Sequence, residues 1–204
     1  MRVLIGCEYS GIVRESFINQ GFDAWSCDFL DTEIKGNHYK CDVLDIINDG
    51  WDLAIFHPPC TRLTNSGVRW LHERNLWEEM RESAEFFKKL LYADIPYIAV
   101  ENPVMHKYAI EVIGKKYDQT IQPYQFGHTT SKRTCLWLKN LPKIQPTKII
   151  PKNLITYDIH LASPSPDRWK LRSKTFEGIA EAMAIQWGNY IKQERVNNER
   201  TRTI

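Results

Sequence analysis

The stretch that decides the fold is Arg2–Gly11, RVLIGCEYSG. Its first five residues are a short apolar run, which predicts a buried strand. Gly6 and Gly11 bracket a loop before an amphipathic stretch, Val13–Gln20, that ends at Gly21. Glycine allows a ligand to approach the backbone closely, and the start of a helix offers free amides. The stretch therefore predicts a strand, a ligand-binding loop and a helix.

The rest of the first two thirds repeats this alternation of strand and helix. Further strands are predicted at Asp23–Asp28, His38–Asp42, Asp52–Phe56 and Tyr97–Val100, helices at Arg74–Tyr92, Lys107–Lys115 and Thr175–Ile191, and a hairpin from Asp118–Pro123 and Thr134–Leu138. Such alternation is typical of an α/β protein. We therefore expect a Rossmann-like, mostly parallel sheet with helices on both faces.

Composition excludes several classes of protein. The 204 residues are 43% hydrophobic and 25% charged, which is ordinary globular usage. No apolar run approaches the roughly 18 residues of a membrane span, and no signal-peptide pattern opens the chain, so a cytoplasmic protein that does not enter the membrane is expected. Five scattered cysteines without a CxxC pair argue against a disulfide framework and against a metal site.

Charge is distributed unevenly along the chain. Residues 1–127 hold 13 Lys and Arg against 19 Asp and Glu, whereas residues 128–174 hold 10 against 2. A compact basic block indicates contact with a polyanion, although a solvated lysine-rich surface would give the same count. The phosphate contacts expected from this block are Arg168, Lys170, Arg172 and Lys174.

Ligands of open parallel sheets bind beyond the carboxyl ends of the strands, so the residues after each strand matter most. Asp28, at the end of the second strand, is expected to accept hydrogen bonds from ribose, and Asp42 from an adenine amine. Both could instead be helix caps or loop residues. Because the first loop lacks GxGxxG and GK[ST] elements, a nucleoside without phosphates, such as S-adenosylmethionine, fits better than ATP or NAD.

The loop after the fourth predicted strand carries a candidate nucleophile. Pro58 and Pro59 make a stiff extended loop that holds Cys60 toward the ligand face. A thiolate adds readily to an electron-poor ring. Glu101 ends the next strand, which should be a neighbour, and could protonate or hydrogen-bond a heteroaromatic ring. The alternative is an inert buried thiol and a solvated carboxylate.

These motifs resemble those of a small, phage-type member of the DNA cytosine-5 methyltransferase family. The resemblance rests on Leu4-Ile5-Gly6-Cys7-Glu8-Tyr9-Ser10-Gly11, Pro58-Pro59-Cys60, Glu101-Asn102-Pro103, and Phe126-Gly127-His128 followed by Ser131-Lys132-Arg133-Thr134, with a weaker match at Gly178-Ile179-Ala180. It runs in order over residues 1 to 138. The sequence departs from the family pattern at two places. Thr61 stands where the family has Gln, and Lys132 and Arg133 stand, shifted in register, in place of the family's two arginines.

The resemblance implies a domain plan, a cofactor and a partner. Residues 1–138 would form the catalytic domain, 139–174 a reduced target-recognition region, and 175–204 a C-terminal helix and tail that pack back on the catalytic domain. S-adenosylmethionine would be bound by Gly6, Cys7, Glu8, Tyr9, Ser10, Gly11, Asp28, Asp42 and Pro58. The partner would be DNA, encountered in the host cytoplasm if the chain is phage-encoded.

The resemblance also implies roles in catalysis. Cys60 would add to carbon-6 of a cytosine flipped out of the helix, while Glu101 contacts ring nitrogen 3 and the exocyclic amine. Lys132 or Arg133 would hold the carbonyl oxygen or a phosphate. The residues expected to contact DNA are Thr61, Arg69, Lys132, Arg133, Arg168, Lys170, Arg172 and Lys174.

Two other functions remain open at this point. Exocyclic-amine DNA methyltransferases carry an aromatic residue after the two prolines, but Cys60 cannot stack on a base. A protein that binds DNA or the cofactor without catalysis, such as a decoy against restriction, fits the small recognition region. Aromatic residues near the basic block could stack on bases or lie in the core, and for Trp70 we expect the core.

Overall fold

The computed structural model describes residues 1–157 and 168–202, and seven strands form one sheet in the order β3-β2-β1-β4-β5-β7-β6. The strands are β1 (Arg2–Gly6), β2 (Asp23–Asp28), β3 (His38–Lys40), β4 (Leu53–Phe56), β5 (Tyr97–Asn102), β6 (Gln119–Ile121) and β7 (Thr134–Lys139). Strands β1 to β5 are parallel, and β7 runs antiparallel between β5 and β6. The predicted mostly parallel α/β sheet is confirmed.

Helices cover both faces of the sheet, as predicted. They are α1 (Ile12–Asn19), α2 (Val43–Ile46), α3 (Val68–Glu73), α4 (Trp77–Leu91), α5 (Lys107–Ile113), α6 (Arg168–Ser173) and α7 (Glu177–Arg202). Val3 and Ile5 of β1 belong to one core cluster with residues of α1 and α7, whereas Leu4 belongs to a second cluster with residues of α4 and α5. Successive side chains of β1 therefore face opposite sides of the sheet, and β1 is apolar throughout because both sides are buried.

Two helix boundaries differ from the prediction. The helix predicted at Arg74–Tyr92 is α4 and begins only at Trp77, because Asn75 has a φ of 51°, and α3 directly before it is an additional helix that was not predicted. The predicted frayed tail after Arg195 is helical up to Arg202, since Glu, Gln and Arg favour helix even without an apolar stripe. Residues 158–167 of the predicted basic segment, and residues 203–204, lie outside the described residues.

Helix α7 begins against the loop of Phe126, Gly127 and His128. The Gly178 amide donates a hydrogen bond to His128 Nε2 at 3.0 Å, and the His128 ring packs on Phe176 at 5.1 Å. A Cβ at Gly178 would lie 2.0 Å from the Phe126 carbonyl oxygen. Position 178 therefore has to be glycine if α7 is to begin here. Within residues 1–157 and 168–202, no helix has the length and apolar character to cross a membrane.

Substitution Gly178→Ala is expected to destabilise the protein by about 3 kcal/mol, as overpacking does when backbone has to move. Replacing glycine by alanine in a helix would by itself stabilise the protein by about 1 kcal/mol, because alanine has the higher helix propensity. A loss of stability therefore indicates the clash, and a gain indicates that helix propensity dominates. Urea unfolding measures the change. Glu181→Ala, at an exposed position one turn along α7, is the matched control and should change stability by less than about 0.5 kcal/mol. A stabilised Gly178→Ala protein would contradict this packing.

Candidate active site

The adjacent strands β4 and β5 bring two titratable side chains together at the carboxyl edge of the sheet. They pair in parallel with Phe56 opposite Val100, so the residues that follow leave the sheet side by side. His57 Nδ1 lies 3.2 Å from Glu101 Oε2, and the two side chains are 7% and 12% exposed. The expectation that these strands are neighbours is confirmed.

Asn102 fastens the Pro58-Pro59-Cys60 loop to β5. Its Nδ2 donates a hydrogen bond to the Pro58 carbonyl at 3.0 Å, and the residue is 1% exposed. The amides of Leu63 and Thr64 donate to the Cys60 carbonyl, so the loop turns directly after the cysteine. The half-buried Cys60 is thereby held on a fixed backbone. This clamp by Asn102 was not predicted from the sequence.

The environment of Cys60 determines how readily its thiol ionises. Burial raises the pKa of the Cys60 thiol, and the Glu101 carboxylate raises it further, whereas the charges of Arg172 and Lys132 lower it. The net shift is upward, so Cys60 is a thiol at rest. The two cations are therefore the groups in this site that favour the nucleophilic thiolate.

Glu101 is held as a carboxylate. Burial alone would raise its pKa, but the hydrogen bond from His57, the charge of Lys132 and a hydrogen bond from Thr134 together lower the pKa below the ordinary value. Two roles were expected for this side chain, to protonate a ring or to hydrogen-bond it. The resting state fits the second role, in which an ionised carboxylate accepts hydrogen bonds.

Only one residue of the Lys132-Arg133 pair reaches this region. Lys132 lines a small cavity together with Glu101, and its Nζ donates to the Lys174 carbonyl at 3.2 Å. Arg133 is exposed, and its charge acts on Cys135 instead. Successive side chains of extended backbone point to opposite sides, which explains the difference. The structure does not place Arg133 with Cys60 and Glu101.

A second cleft, which shares Thr175 with the first, lies at the end of β1. Its lining residues are Cys7, Glu8, Tyr9, Ser10, His57, Ser173, Lys174 and Thr175. Four of the predicted cofactor residues therefore meet here. Gly6 lies just below, where a Cβ would be 2.5 Å from a Phe56 ring carbon, and Gly11 precedes the first residue of α1. We call this the β1 cleft.

Glu8 occupies the start of α1. Its Oε1 accepts hydrogen bonds from the Val13 amide at 2.8 Å and from the Ser10 hydroxyl at 2.9 Å, and the residue is 5% exposed. The helix start was expected to offer free amides to a ligand. A carboxylate of the chain itself fills part of that position, which disfavours phosphate there.

The two predicted adenosine ligands also make local hydrogen bonds. Asp28 accepts from the Leu30 amide at 3.0 Å, and Asp42 caps α2 by accepting from the Leu44 amide at 2.9 Å. The capping role considered for Asp42 is thus present. Burial raises the pKa of the Cys7 thiol and both aspartates raise it further, so both lie near the β1 cleft.

Phe29 was overlooked in the sequence. Its side chain is 70% exposed although it follows Asp28 directly at the end of β2. A large apolar side chain that is exposed to solvent at the carboxyl edge of the sheet can stack on a flat ring of a ligand. Only its position after a strand-end acid could have indicated it beforehand.

Helix α6 and the residues directly after it lie against the β1 cleft, although they follow β7 in the sequence. The Tyr9 hydroxyl donates to the Lys170 carbonyl at 3.3 Å and shares a 3.1 Å hydrogen bond with Ser173 Oγ. The Tyr9 ring packs on Trp169, and Lys174 pairs with Glu33 at 2.5 Å. This segment therefore forms one wall of the cleft.

The residues that were predicted to contact DNA thus lie in different environments. Lys174 is paired with Glu33, Arg172 acts on Cys60, Lys170 is exposed, and Arg168 is half-buried. They do not form one open basic face. Thr61 is exposed directly after Cys60.

The Trp70 ring lies beyond Thr61, on α3. The guanidinium groups of Arg69 and Arg74 lie over it at 4.1 and 4.3 Å from the ring centre. Trp70 is half-buried and outside both core clusters, so the expectation of a core position was wrong. Phe126 and Trp137 are core residues, at 3% and 0% exposure.

Substitution Arg172→Ala is expected to slow alkylation of Cys60. Removing a cation that lowers the thiol pKa raises that pKa, so the pH profile of alkylation should move to higher pH and the rate at pH 7.5 should fall about two- to fivefold. Mass spectrometry of the Cys60 peptide after timed iodoacetamide treatment measures this. Lys170→Ala, on the same helix, is the control and should leave the profile in place. An unchanged Arg172→Ala profile would contradict the assignment.

Comparisons with known proteins give no family assignment. No family profile and no curated protein matches the chain. Among solved structures it is similar to a protein described as a DNA modification methyltransferase encoded within an Escherichia coli prophage, at 16% identity and a TM-score of 0.47. It is also similar to Entamoeba histolytica methyltransferase EhMeth, at 17% and 0.48, and to a mutant of Spodoptera frugiperda DNMT2, at 14% and 0.40.

These similarities are partial. The matched region covers 74%, 74% and 76% of this chain but only 52%, 57% and 57% of the three structures, so the chain spans little more than half of their length. At such identities and scores, no residue's role can be transferred. A functional assignment therefore has to stand on the geometry of the site itself.

Proposed function

We propose that this chain transfers a methyl group from S-adenosylmethionine to carbon-5 of cytosine in DNA, through a covalent bond to Cys60. One observation carries the proposal. A clamped cysteine and an ionised carboxylate leave adjacent parallel strands, the carboxylate raises the pKa of the cysteine thiol, and His57 beside the carboxylate lines the β1 cleft. That combination supplies a nucleophile and an acceptor for a polar ring next to a cleft at the carboxyl end of β1.

The residues of the β1 cleft fit the proposed cofactor. Glu8 fills part of the helix start where a phosphate would bind, whereas Asp28 and Asp42 lie at successive strand ends where ribose and adenine would be held. Phe29 is exposed beside them for stacking. When bound, S-adenosylmethionine supplies an electrophilic methyl group. In this proposal Tyr9 and Ser10, which line the β1 cleft, and Pro58, two residues before Cys60, contact the cofactor.

The proposed reaction begins with attack by Cys60. A target base has to leave the stack, because its carbon-6 is inaccessible inside a duplex. The Cys60 thiol loses its proton to solvent, Sγ forms a bond to carbon-6, and the electron pair of the 5,6 double bond moves toward carbon-5. Carbon-5 takes the methyl group with release of S-adenosylhomocysteine, and the carbon-5 proton then leaves to a solvent base. The double bond re-forms as the S–C6 bond breaks, and Cys60 is regenerated as the thiolate.

Glu101 and Lys132 hold the base during these steps. Ionised Glu101 accepts a hydrogen bond from the exocyclic amine and, as nitrogen 3 gains basicity in the adduct, from a proton on that nitrogen. Lys132 lies on the same cavity and stabilises negative charge on the carbonyl oxygen. Arg133 remains a candidate for DNA phosphate contact, together with Thr61, Arg69, Arg168 and Lys170. In this proposal residues 139–174 take the place of a target-recognition domain and 1–138 form the catalytic domain.

The product identifies the function. The full chain is incubated with S-adenosylmethionine carrying a labelled methyl group and with DNA of mixed sequence, both duplex and single-stranded, and the digested nucleosides are identified by mass spectrometry. We expect labelled 5-methylcytosine. Labelled N4-methylcytosine or N6-methyladenine would replace the proposal by exocyclic-amine methylation. Cofactor binding without any labelled nucleoside would replace it by a binding protein.

A further inference from the structure

We propose that the Glu8 carboxylate is a recognition site for positive charge in the β1 cleft, and that this site selects a cofactor whose tail is cationic. The inference deepens the proposed function and rests on it for the identity of the ligand. It concerns two buried polar atoms that the catalytic steps do not use. Neither residue was assigned this role by the resemblance.

The first of these atoms is Glu8 Oε2. Within the described part of the chain it is buried and has no hydrogen-bond partner, while Oε1 accepts from Val13 and Ser10. Leaving a buried carboxylate oxygen unpaired is costly. Because Glu8 lines the β1 cleft, a ligand bound there can supply the missing partner.

The second atom is His57 Nε2, which is likewise buried and without a partner among the described residues. The other ring nitrogen, Nδ1, faces the carboxylate of Glu101 at 3.2 Å, and an ionised carboxylate can only accept. Nδ1 therefore donates to Glu101, and Nε2 is left as a second polar atom without a partner among the described residues. His57 also lines the β1 cleft.

The unpartnered carboxylate oxygen of Glu8 selects the ligand group. A ligand atom that bonds to Glu8 Oε2 has to bring a hydrogen, and positive charge on it adds a Coulomb term. Lys174 lines the same cleft, but its Nζ is 2.5 Å from Glu33 and so is already paired. An anionic group would meet an uncompensated carboxylate. The site thus fits an ammonium or sulfonium group and excludes phosphate.

Calorimetric binding to the unmodified chain tests the charge preference without any reaction. Three adenosine ligands of different tail charge are compared: cationic S-adenosylmethionine, neutral 5′-methylthioadenosine and anionic AMP. We expect affinity to fall in that order, with AMP at least about tenfold weaker than methylthioadenosine, because a phosphate would lie against Glu8. AMP binding as tight as methylthioadenosine would overturn the proposal without requiring any variant.

Substitution Glu8→Gln tests the residue itself, since glutamine keeps the acceptor for Val13 and removes the charge. We expect S-adenosylmethionine to bind about 10- to 100-fold more weakly, the range for a hydrogen bond to a charged group, with methylthioadenosine changed less than about twofold. Asp31→Asn, at an exposed residue paired with Lys40, is the matched control and should change neither affinity. Thermal unfolding confirms that each variant is folded.

S-adenosylhomocysteine distinguishes the two cations, because it keeps the ammonium but lacks the sulfonium. If Glu8→Gln weakens both ligands equally, the site recognises the ammonium; if only S-adenosylmethionine weakens, it recognises the sulfonium. Unchanged affinity for both, or an equal loss for methylthioadenosine, overturns the cation site while leaving the methyltransferase proposal standing. Failure of the unmodified chain to bind S-adenosylmethionine at all would overturn both.

Discussion

Substitution Cys60→Ala is expected to lower methyl transfer to DNA by at least about 10³-fold, since loss of a covalent nucleophile has effects of this size or larger. No other thiol can replace Cys60 in the proposed reaction. Cys135 is a fully buried residue of β7, and Cys27 and Cys41 are hydrogen-bonded neighbours across β2 and the end of β3. Cys7 lines the β1 cleft, but burial and the charges of Asp28 and Asp42 raise the pKa of its thiol strongly and so disfavour the thiolate. Incorporation of label from S-adenosylmethionine into DNA measures the loss.

Matched variants separate chemistry from folding. Cys60→Ser keeps the size of the side chain but offers a hydroxyl that has no activating base in contact, so it should be as inactive as Cys60→Ala. Cys41→Ser removes a thiol elsewhere on the carboxyl edge and should retain activity within about threefold, as substitutions outside the reacting groups do. Methyl transfer by Cys60→Ala at more than a tenth of the normal rate would exclude the covalent route.

Substitution Glu101→Gln is expected to change two measurements in opposite directions. Methyl transfer should fall about 10²- to 10³-fold, because a preorganised acceptor for the base is lost. Alkylation of Cys60 by iodoacetamide should become faster, because the Glu101 carboxylate raises the pKa of that thiol and glutamine does not. The alkylation profile should move to lower pH. A merely structural role for Glu101 would not make its removal increase the reactivity of Cys60.

The control for this variant is Glu111→Gln, an exposed carboxylate on α5, which should leave both measurements unchanged. Slower alkylation in Glu101→Gln, or methyl transfer at the normal rate, would contradict the arrangement described here. Retained binding of S-adenosylmethionine distinguishes this result from general unfolding, which would also expose the thiol and abolish methyl transfer but would remove that binding.

The central part of the fold could be predicted because its signals are local. Apolar runs such as RVLIG and DLAIF are buried on both faces, so they predict strands directly, and their alternation with helices predicts the parallel sheet. The adjacency of β4 and β5, and with it the pairing of the Cys60 loop with Glu101, follows from the same order. The helix predicted from Arg74 begins three residues later, at Trp77, because the positive φ of Asn75 has no signal in the apolar spacing.

Long-range contacts account for most of what could not be predicted. Tyr9 and Lys170 are 161 positions apart, and no local pattern shows that α6 returns to the β1 cleft. The same return brings Arg172 near Cys60, although its sequence neighbourhood indicates only a phosphate contact. Which of Lys132 and Arg133 faces Glu101 depends on where the chain enters β7. Whether Glu8 accepts hydrogen bonds from the first amides of α1 depends on where that helix begins.

The most direct test of the central claim is covalent trapping on DNA that contains 5-fluorocytosine. Fluorine at carbon-5 cannot leave as a proton does, so a methyltransferase that attacks carbon-6 stays attached to the base. With S-adenosylmethionine present, we predict a DNA adduct whose mass places the base on Cys60, and none with Cys60→Ala. A chain that binds both S-adenosylmethionine and this DNA yet forms no adduct would contradict the account.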